Sequence, residues 1–371
     1  MPTLRDSICL GMKLWRCNIN KEERYLVTGA GGFIGGWIAE SLYLEGKAGV
    51  RAGIHRWSGA ARLARFSMDI APCDILNNEE IHRAMNGVTH VIHCAKSGSA
   101  ESIVKGTENM LKAALQNKAK RFVYLSTAEV YGNPDGLVDE SFACSKIGNV
   151  YGDSKLDAEK VCLDFCTKGL PVTILRPSIV YGPFSKTWIL NIGTKILSGT
   201  WGIFEGVGDG ICNLIYITDL VAATLLSARN ERAIGEIFNV NGPEAPTWNE
   251  YFKKFNSALN LPSLKKVEAG RTKMKSNLMV PVRNLAMFAR GHFERPIKKV
   301  AAGFGPAKLV MEKLEKKIKL TPRPTDLSLY NRKAYYSSKK IQDLIGFKPA
   351  IDVDTGLKLS VLWMDQVGIR N

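Results

Sequence analysis

The feature that most constrains this chain is the run Tyr25-Leu26-Val27-Thr28-Gly29-Ala30-Gly31-Gly32-Phe33-Ile34-Gly35. A short apolar stretch leads straight into a glycine loop, after which Ile34, Ile38 and Leu42 recur at helical spacing. Gly29, Gly32 and Gly35 stand three apart. The first permits a tight turn, the second lets backbone N–H groups approach a pyrophosphate, and the third lets the helix pack closely on the sheet. The helix opening at Phe33 and Ile34 then presents unsatisfied N–H groups to negative charge. The pattern predicts a strand, loop and helix that bind a dinucleotide.

The same alternation continues. Residues 50–54, 88–94, 121–126 and 171–175 read as further strands, and residues 104–115 and 150–168 as amphipathic helices. Strand and helix alternating in this way predict an α/β fold, a doubly wound parallel sheet with helices on both faces and a ligand crevice at the carboxyl ends of its strands. Beyond about residue 180 glycine and proline punctuate the chain more often, although residues 214–217 and 237–240 still read as strands. The expected organisation is an N-terminal extension over 1–23 and a dinucleotide-binding domain over 24–180. A smaller, mainly helical substrate lobe follows over 181–371, with strands near 211–242 returning to the sheet.

The end of the second strand bears on the cofactor. An aspartate there would bind the ribose hydroxyls of NAD, whereas this chain has His55-Arg56, with Arg51 nearby. Cationic side chains suit a 2′-phosphate and favour NADP over NAD; the alternative is that His55 caps the strand. Asp74-Ile75 can bind the adenine, or Asp74 can cap a helix beginning near Asn77.

Tyr151 and Lys155 stand at i and i+4, on one helix face. A free tyrosine titrates near pH ~10 and is a poor base at neutrality. A neighbouring cation, together with an oxidised nicotinamide ring, stabilises the phenolate, so Tyr151 can take a proton from a substrate hydroxyl while hydride leaves the same carbon, and Lys155 can also hold the nicotinamide ribose. Ser126-Thr127 ends the fourth strand, where a hydroxyl can meet the substrate oxygen or simply bind local backbone.

The chain has 371 residues, 45% of them apolar and 23% charged, which is enough for one large or two modest domains. No apolar stretch is long enough to span a membrane, and Arg5, Asp6, Lys13 and Arg16 interrupt any signal-peptide core. A cytoplasmic protein is expected. The eight cysteines form no C-x-x-C pair, so reduced thiols are expected and no metal site. Residues 261–340 hold 20 Lys and Arg against 5 Asp and Glu, so +15 of the +16 net charge lies there. This stretch either attracts anions or is a solvated surface. Within it Leu309, Val310, Leu314 and Ile318 form an apolar stripe beside Lys313, Lys316, Lys317 and Lys319. The stripe faces a core or, in the second reading, makes a peripheral contact at the inner membrane surface. No nucleic-acid partner is expected.

With these residues in hand, the chain resembles the extended short-chain dehydrogenase/reductases, the NAD(P)-dependent epimerase/dehydratase family. The resemblance covers roughly residues 24–260 and returns near the C-terminus. Besides the glycine loop and Tyr-x-x-x-Lys, it rests on His93-Cys94-Ala95, Gly106-Thr107-x-Asn109 and Ser126-Thr127-Ala128-Glu129-Val130-Tyr131-Gly132. Leu175-Arg176-Pro177-Ser178-Ile179-Val180-Tyr181-Gly182-Pro183, Asp219-Leu220, Phe238-Asn239-Val240 and Ile345-Gly346-Phe347-Lys348-Pro349 follow in the family's order. The resemblance implies that Thr127 binds the substrate hydroxyl, Tyr151 is the acid/base and Lys155 its partner. It also implies that Ala95, Ser126 and Pro177 line the cofactor site, and that two copies form a homodimer.

Thr127-Ala128-Glu129 is similar to the Thr-Asp-Glu of sugar-nucleotide 4,6-dehydratases or the Thr-Ser-Glu of related decarboxylases and dehydratases, which makes Glu129 a second base or else a surface residue of the turn. Ala128 cannot protonate a leaving hydroxyl. Cys212 stands where many epimerases carry an arginine for the diphosphate, and Ile103 replaces a frequent asparagine. Tyr335-Tyr336-Ser337-Ser338-Lys339 resembles 3β-hydroxysteroid dehydrogenase-like members. Three readings follow: an enzyme oxidising a hydroxyl of a nucleotide sugar, a dehydrogenase acting on a sterol or lipid-linked alcohol, and a non-catalytic dinucleotide-binding regulator.

Overall fold

A computed structural model describes residues 23–369, except 47, 97, 200, 269, 271, 286–317 and 319. Two units separate within it. The first comprises Met1–Ser185, Asn213–Ala245 and Ala334–Trp363; the second comprises Lys186–Cys212, Pro246–Lys333 and Met364–Asn371.

The first unit is built on β1 (Arg24–Thr28), α1 (Phe33–Glu45), β2 (Gly49–Ile54), β3 (Asp69–Pro72), α2 (Asn78–Met85) and β4 (His90–His93). It continues through α3 (Ala100–Gln116), β5 (Arg121–Leu125), α4 (Val150–Thr167), β6 (Val172–Pro177), α5 (Ile217–Arg229) and β7 (Ile237–Val240). The seven strands form one sheet in the order β7-β6-β5-β4-β1-β2-β3. Every neighbouring pair is parallel. Helices α2, α3 and α4 pack in succession, while α1 packs against α5. This is the doubly wound parallel sheet the alternation predicts.

Local chemistry sets the helix starts. Asn77, Ser99 and Asn149 each accept a backbone N–H at the N-terminus of α2, α3 and α4. Helix α1 differs: Gly32 stands at its N-cap, with no side-chain cap. Strands β4, β5 and β6 are buried almost throughout, as strands covered by helices on both faces are, and show no alternation of buried and exposed residues.

Short β3 has no counterpart among the expected strands. Asp69-Ile70-Ala71-Pro72 is only partly buried at the sheet edge and carries neither alternation nor β-branched density. Arg51 belongs to this edge too. Its guanidinium binds Asp69 at 2.7 Å and the carbonyls of Ala84 and Asn86 at 2.8 and 2.9 Å, closing the end of α2. It is therefore engaged in holding the edge.

The second unit packs Trp201, Phe204, Trp248, Phe252 and Tyr330 into an aromatic core. Its helices include Ile192–Leu197, Trp248–Ala258, residues 272–285 and Pro324–Tyr330. The helix Trp248–Ala258 opens with a full capping box between Thr247 and Glu250. Strands Ile203–Glu205 and Lys266–Glu268 pair in parallel. Cys212 is fully buried, so it offers no charge for a diphosphate. Of the expected stripe, Leu309, Val310 and Leu314 lie outside the described residues, as do Cys9 and Cys17.

Candidate active site

Parallel pairing puts all the strand carboxyl ends on one edge, and the segments that follow them carry most of the residues singled out above. The glycine loop follows β1, His55 and Arg56 follow β2, Asp74 and Ile75 follow β3, Ala95 follows β4, and Ser126 and Thr127 follow β5. Pro177 closes β6.

The loop is shaped by backbone crowding. Gly29 has φ +68°, and a Cβ there would lie 2.9 Å from the backbone of Ala95. A Cβ on Gly35 would fall 2.4 Å from the Gly29 carbonyl oxygen, so only glycine lets α1 start so close to the loop. The uncapped start of α1 then leaves the Phe33 and Ile34 amides without a side-chain acceptor. These features fit the diphosphate of a dinucleotide.

Beneath the loop, one chain of hydrogen bonds joins β1, β4 and α3. The Ala95 N–H donates to Thr28 Oγ1 at 3.3 Å, and Thr28 Oγ1 lies 2.7 Å from His93 Nδ1. His93 Nε2 lies 3.3 Å from Thr107 Oγ1, whose hydroxyl donates to the Ile103 carbonyl. The chain is satisfied throughout if Nδ1 accepts and Nε2–H donates. Burial, reinforced by the Lys155 charge, pushes His93 down to about 3, so the ring is neutral.

At β2 the cationic end is open. His55 Nε2 stands 3.5 Å from Asp74 Oδ2, both partly exposed, and Arg56 is exposed at the following turn. The cap of α2 is Asn77, while Asp74 Oδ1 accepts the Leu76 N–H at 3.0 Å. The Ile75 carbonyl is bound by Asn109 Nδ2 at 3.1 Å.

The phenol and the amine share one face of α4. Lys155 is buried, donates to the Leu125 carbonyl at 2.7 Å and lies 4.5 Å from the Tyr124 ring centre. Burial pulls its ammonium down to about 8. Lys96, three residues beyond β4, stands 5.0 Å from the Tyr151 ring centre. Burial, with the Glu129 charge adding to it, pushes Tyr151 up to about 12. In the chain by itself desolvation outweighs any neighbouring cation.

Thr127 is partly exposed and its Oγ1 accepts the Glu129 N–H at 3.3 Å, capping a short turn. The Glu129 carboxylate accepts from Asn149 Nδ2 at 3.2 Å, which ties this turn to the start of α4. Ser126 is buried and its hydroxyl donates to Glu159, so its side chain is turned to the interior.

Sequence reasoning missed this Glu159 network. The Arg176 guanidinium binds Glu159 through Nε at 3.0 Å and Nη2 at 2.7 Å, and through Nη1 the Tyr131 hydroxyl at 2.9 Å. Tyr131 in turn donates to Asn239 Oδ1 at 2.8 Å. Two signals pointed to it: Glu159 continues the Tyr151, Lys155 spacing by another four residues, and Arg176 is the one charge inside an otherwise uncharged strand. Lys96 carried no such signal.

The profile of the NAD dependent epimerase/dehydratase family matches residues 25–241. A UDP-N-acetyl-alpha-D-glucosaminuronate decarboxylase of Bacillus cytotoxicus is 32% identical over 253 residues, 62% of this chain and 78% of that protein. Sterol demethylase protein B of Methylococcus capsulatus is 29% identical over 229 residues, 58% of this chain and 69% of that protein. A UDP-glucuronic acid 4-epimerase from Bacillus cereus, solved in complex with NAD, has a TM-score of 0.69 at 20% identity. That match covers 94% of this chain and 98% of the other, and it concerns the fold.

Proposed function

Since this chain belongs to the NAD dependent epimerase/dehydratase family, we propose that it oxidises a secondary hydroxyl of a nucleotide sugar, with Tyr151 taking the hydroxyl proton. The observation that carries this reading is the placement of Tyr151 and Lys155 on one face of α4, with Lys155 bound to the last carbonyl of β5. The next two residues are Ser126 and Thr127.

Gly29, Gly32, Phe33, Ile34, Gly35, Ala95 and Pro177 would hold the dinucleotide. When bound and oxidised it supplies a hydride acceptor and a positive charge at the reacting end. Thr127 orients the substrate hydroxyl, and Tyr151 holds and takes its proton. Lys155 is the buried positive charge that offsets the phenolate left behind. Glu129, tied to Asn149 near the N-terminus of α4, acts as the second base for a proton beside the new ketone. Ser126 contributes through its backbone, its hydroxyl being occupied by Glu159.

We infer a preference for NADP from the exposed Arg56 and from the absence of an acidic side chain at the end of β2. Asp74 and Ile75, beyond β3, and His55 border the same adenosine end. Association into a homodimer belongs to the same reading, on the family resemblance, and light scattering of the purified chain checks it.

The substrate class is supported by relatives named for acting on UDP-sugars. The likeness to sterol demethylase protein B favours a second reading, oxidation of a sterol-like alcohol. A thermal-shift and nicotinamide-absorbance panel separates the two. Stabilisation and turnover with UDP-sugars support the first, since a ligand raises stability by mass action. Turnover confined to sterols selects the second, and turnover of neither removes both.

A further inference from the structure

The helix over residues 272–285 in the second unit is inside out for a helix bathed in water. Its inward face carries Thr272, Ser276, Met279 and Arg283, at i, i+4, i+7 and i+11. Three of the four are polar; Thr272, Ser276 and Met279 are buried and Arg283 is half-buried. Its opposite face carries Met274, Leu278, Pro281 and Leu285 with the same spacing. Met274 is 59% exposed, Leu278 65% and Leu285 68%, and Pro281 is exposed as well.

Such an arrangement sacrifices hydrophobic burial and desolvates polar groups. The cost is visible on the inward face. Among the described residues, Ser276 Oγ and Arg283 Nη1 are buried without a hydrogen-bond partner. Arg283 Nη2 anchors the helix by donating to the carbonyl of Thr321 at 2.6 Å. The helix is thus anchored by polar contacts beside Met279, and Met274, Leu278, Pro281 and Leu285 are left outward.

Charge identifies what the outward face meets. Lys273 and Lys275 are exposed on the flanks of the apolar stripe, where their stems can lie along an interface while their ammonium groups reach headgroups. In the sequence, the stretch 261–340 that contains this helix carries a net +15. Two copies of so basic a stretch repel each other, which disfavours self-association through this face. A polynucleotide would leave Leu278 and Leu285 uncovered. An apolar stripe flanked by lysines on a 14-residue helix is the pattern of an element that lies in a membrane interface.

We propose that residues 272–285 dock the protein on an anionic lipid surface, with Met274, Leu278, Pro281 and Leu285 entering the headgroup boundary and Lys273 and Lys275 contacting lipid phosphates. The inference stands independently of the reaction assigned above.

The full-length protein is sedimented with phosphatidylcholine vesicles, with and without about 30% phosphatidylglycerol, at low and high salt. The anionic vesicles are expected to bind at least about tenfold more strongly than neutral ones, and less strongly at high salt. The double variant Leu278→Glu/Leu285→Glu should lose about tenfold in vesicle binding while keeping its melting temperature and its dinucleotide affinity. Failure of the wild type to bind anionic vesicles overturns the proposal, as does equal binding by the double variant. So does a double variant that melts lower or changes oligomeric state, because protein would then cover this face.

Discussion

Lys155 Nζ and the Leu125 carbonyl oxygen lie 2.7 Å apart, so the α4 ammonium is bonded directly to the carboxyl end of β5. This bond fixes α4 against the strand that leads into Thr127, and it sets the position of Tyr151 one turn earlier on the same helix face. It also leaves the amine in surroundings that disfavour its charge.

Burial draws Lys155 down to about 8. The groups facing it are Cys94 beyond β4, Cys162 and Glu159 on α4, and Lys96, whose like charge adds to the lowering. If the reaction needs the ammonium, kcat/KM falls as pH rises through about 8, because the cation is lost. A pH–rate profile checks this; a plateau extending to pH ~10, the ordinary lysine range, contradicts it.

The Glu159–Arg176 pair is buried on both sides, with Nη2 and Oε2 2.7 Å apart. Glu159→Gln leaves a guanidinium in the interior without its counter-charge and should cost about 3–5 kcal/mol of stability. Urea unfolding measures it, and adding Arg176→Met should recover most of the loss. A single-variant loss below ~1 kcal/mol, the range of an exposed pair, would show that the interior is wetter than the structure has it.

Asp219 gives stability a pH dependence of its own. Its Oδ2 accepts the N–H groups of Ala350 and Ile351 at 3.1 and 3.0 Å, yet burial pushes the carboxyl up to about 6. A raised carboxyl favours the fold while protonated, so its contribution is complete below pH ~4 and is lost as pH rises through about 6. The size is on the order of 3 kcal/mol. Asp219→Asn should therefore be the more stable form at pH 7, with the difference in Tm closing as pH is lowered toward 4. A difference that stays constant with pH refutes the assignment.

Arg56 is the cation left open at the end of β2, since Arg51 is held by Asp69 and the end of α2. Arg56→Ala should weaken NADP about tenfold, the worth of one charge-assisted contact, and leave NAD nearly unchanged. Titration calorimetry with both dinucleotides decides it. Equal losses for both would remove Arg56 from the 2′-phosphate.

The architecture was legible wherever a strand was wholly buried or a cap stood before a helix. β1, the glycine loop and α1 were plain because turn chemistry and periodicity agree there. β3 was not, since an edge strand ending in proline has no pattern to read. β6 extends past residue 175 to Pro177 because Arg176, which reads as an exit to solvent, is neutralised inside by Glu159. The positions of Thr127, Tyr151 and Lys155 follow from spacing and strand ends. The titration of Tyr151 did not, because spacing carries no information on desolvation. The outward apolar face of residues 272–285 was hidden for a related reason: periodicity finds an amphipathic helix but not which side of it faces the core.

The most direct test of the whole account is turnover by Tyr151→Phe, measured beside dinucleotide binding by the same preparation. The substitution removes one oxygen from a largely buried ring and leaves the glycine loop and the Lys155 anchor in place. Dinucleotide affinity within about twofold of wild type, with turnover reduced at least about a thousandfold, is the predicted result. Turnover close to wild type would contradict the assignment of the phenol as the group that moves the proton.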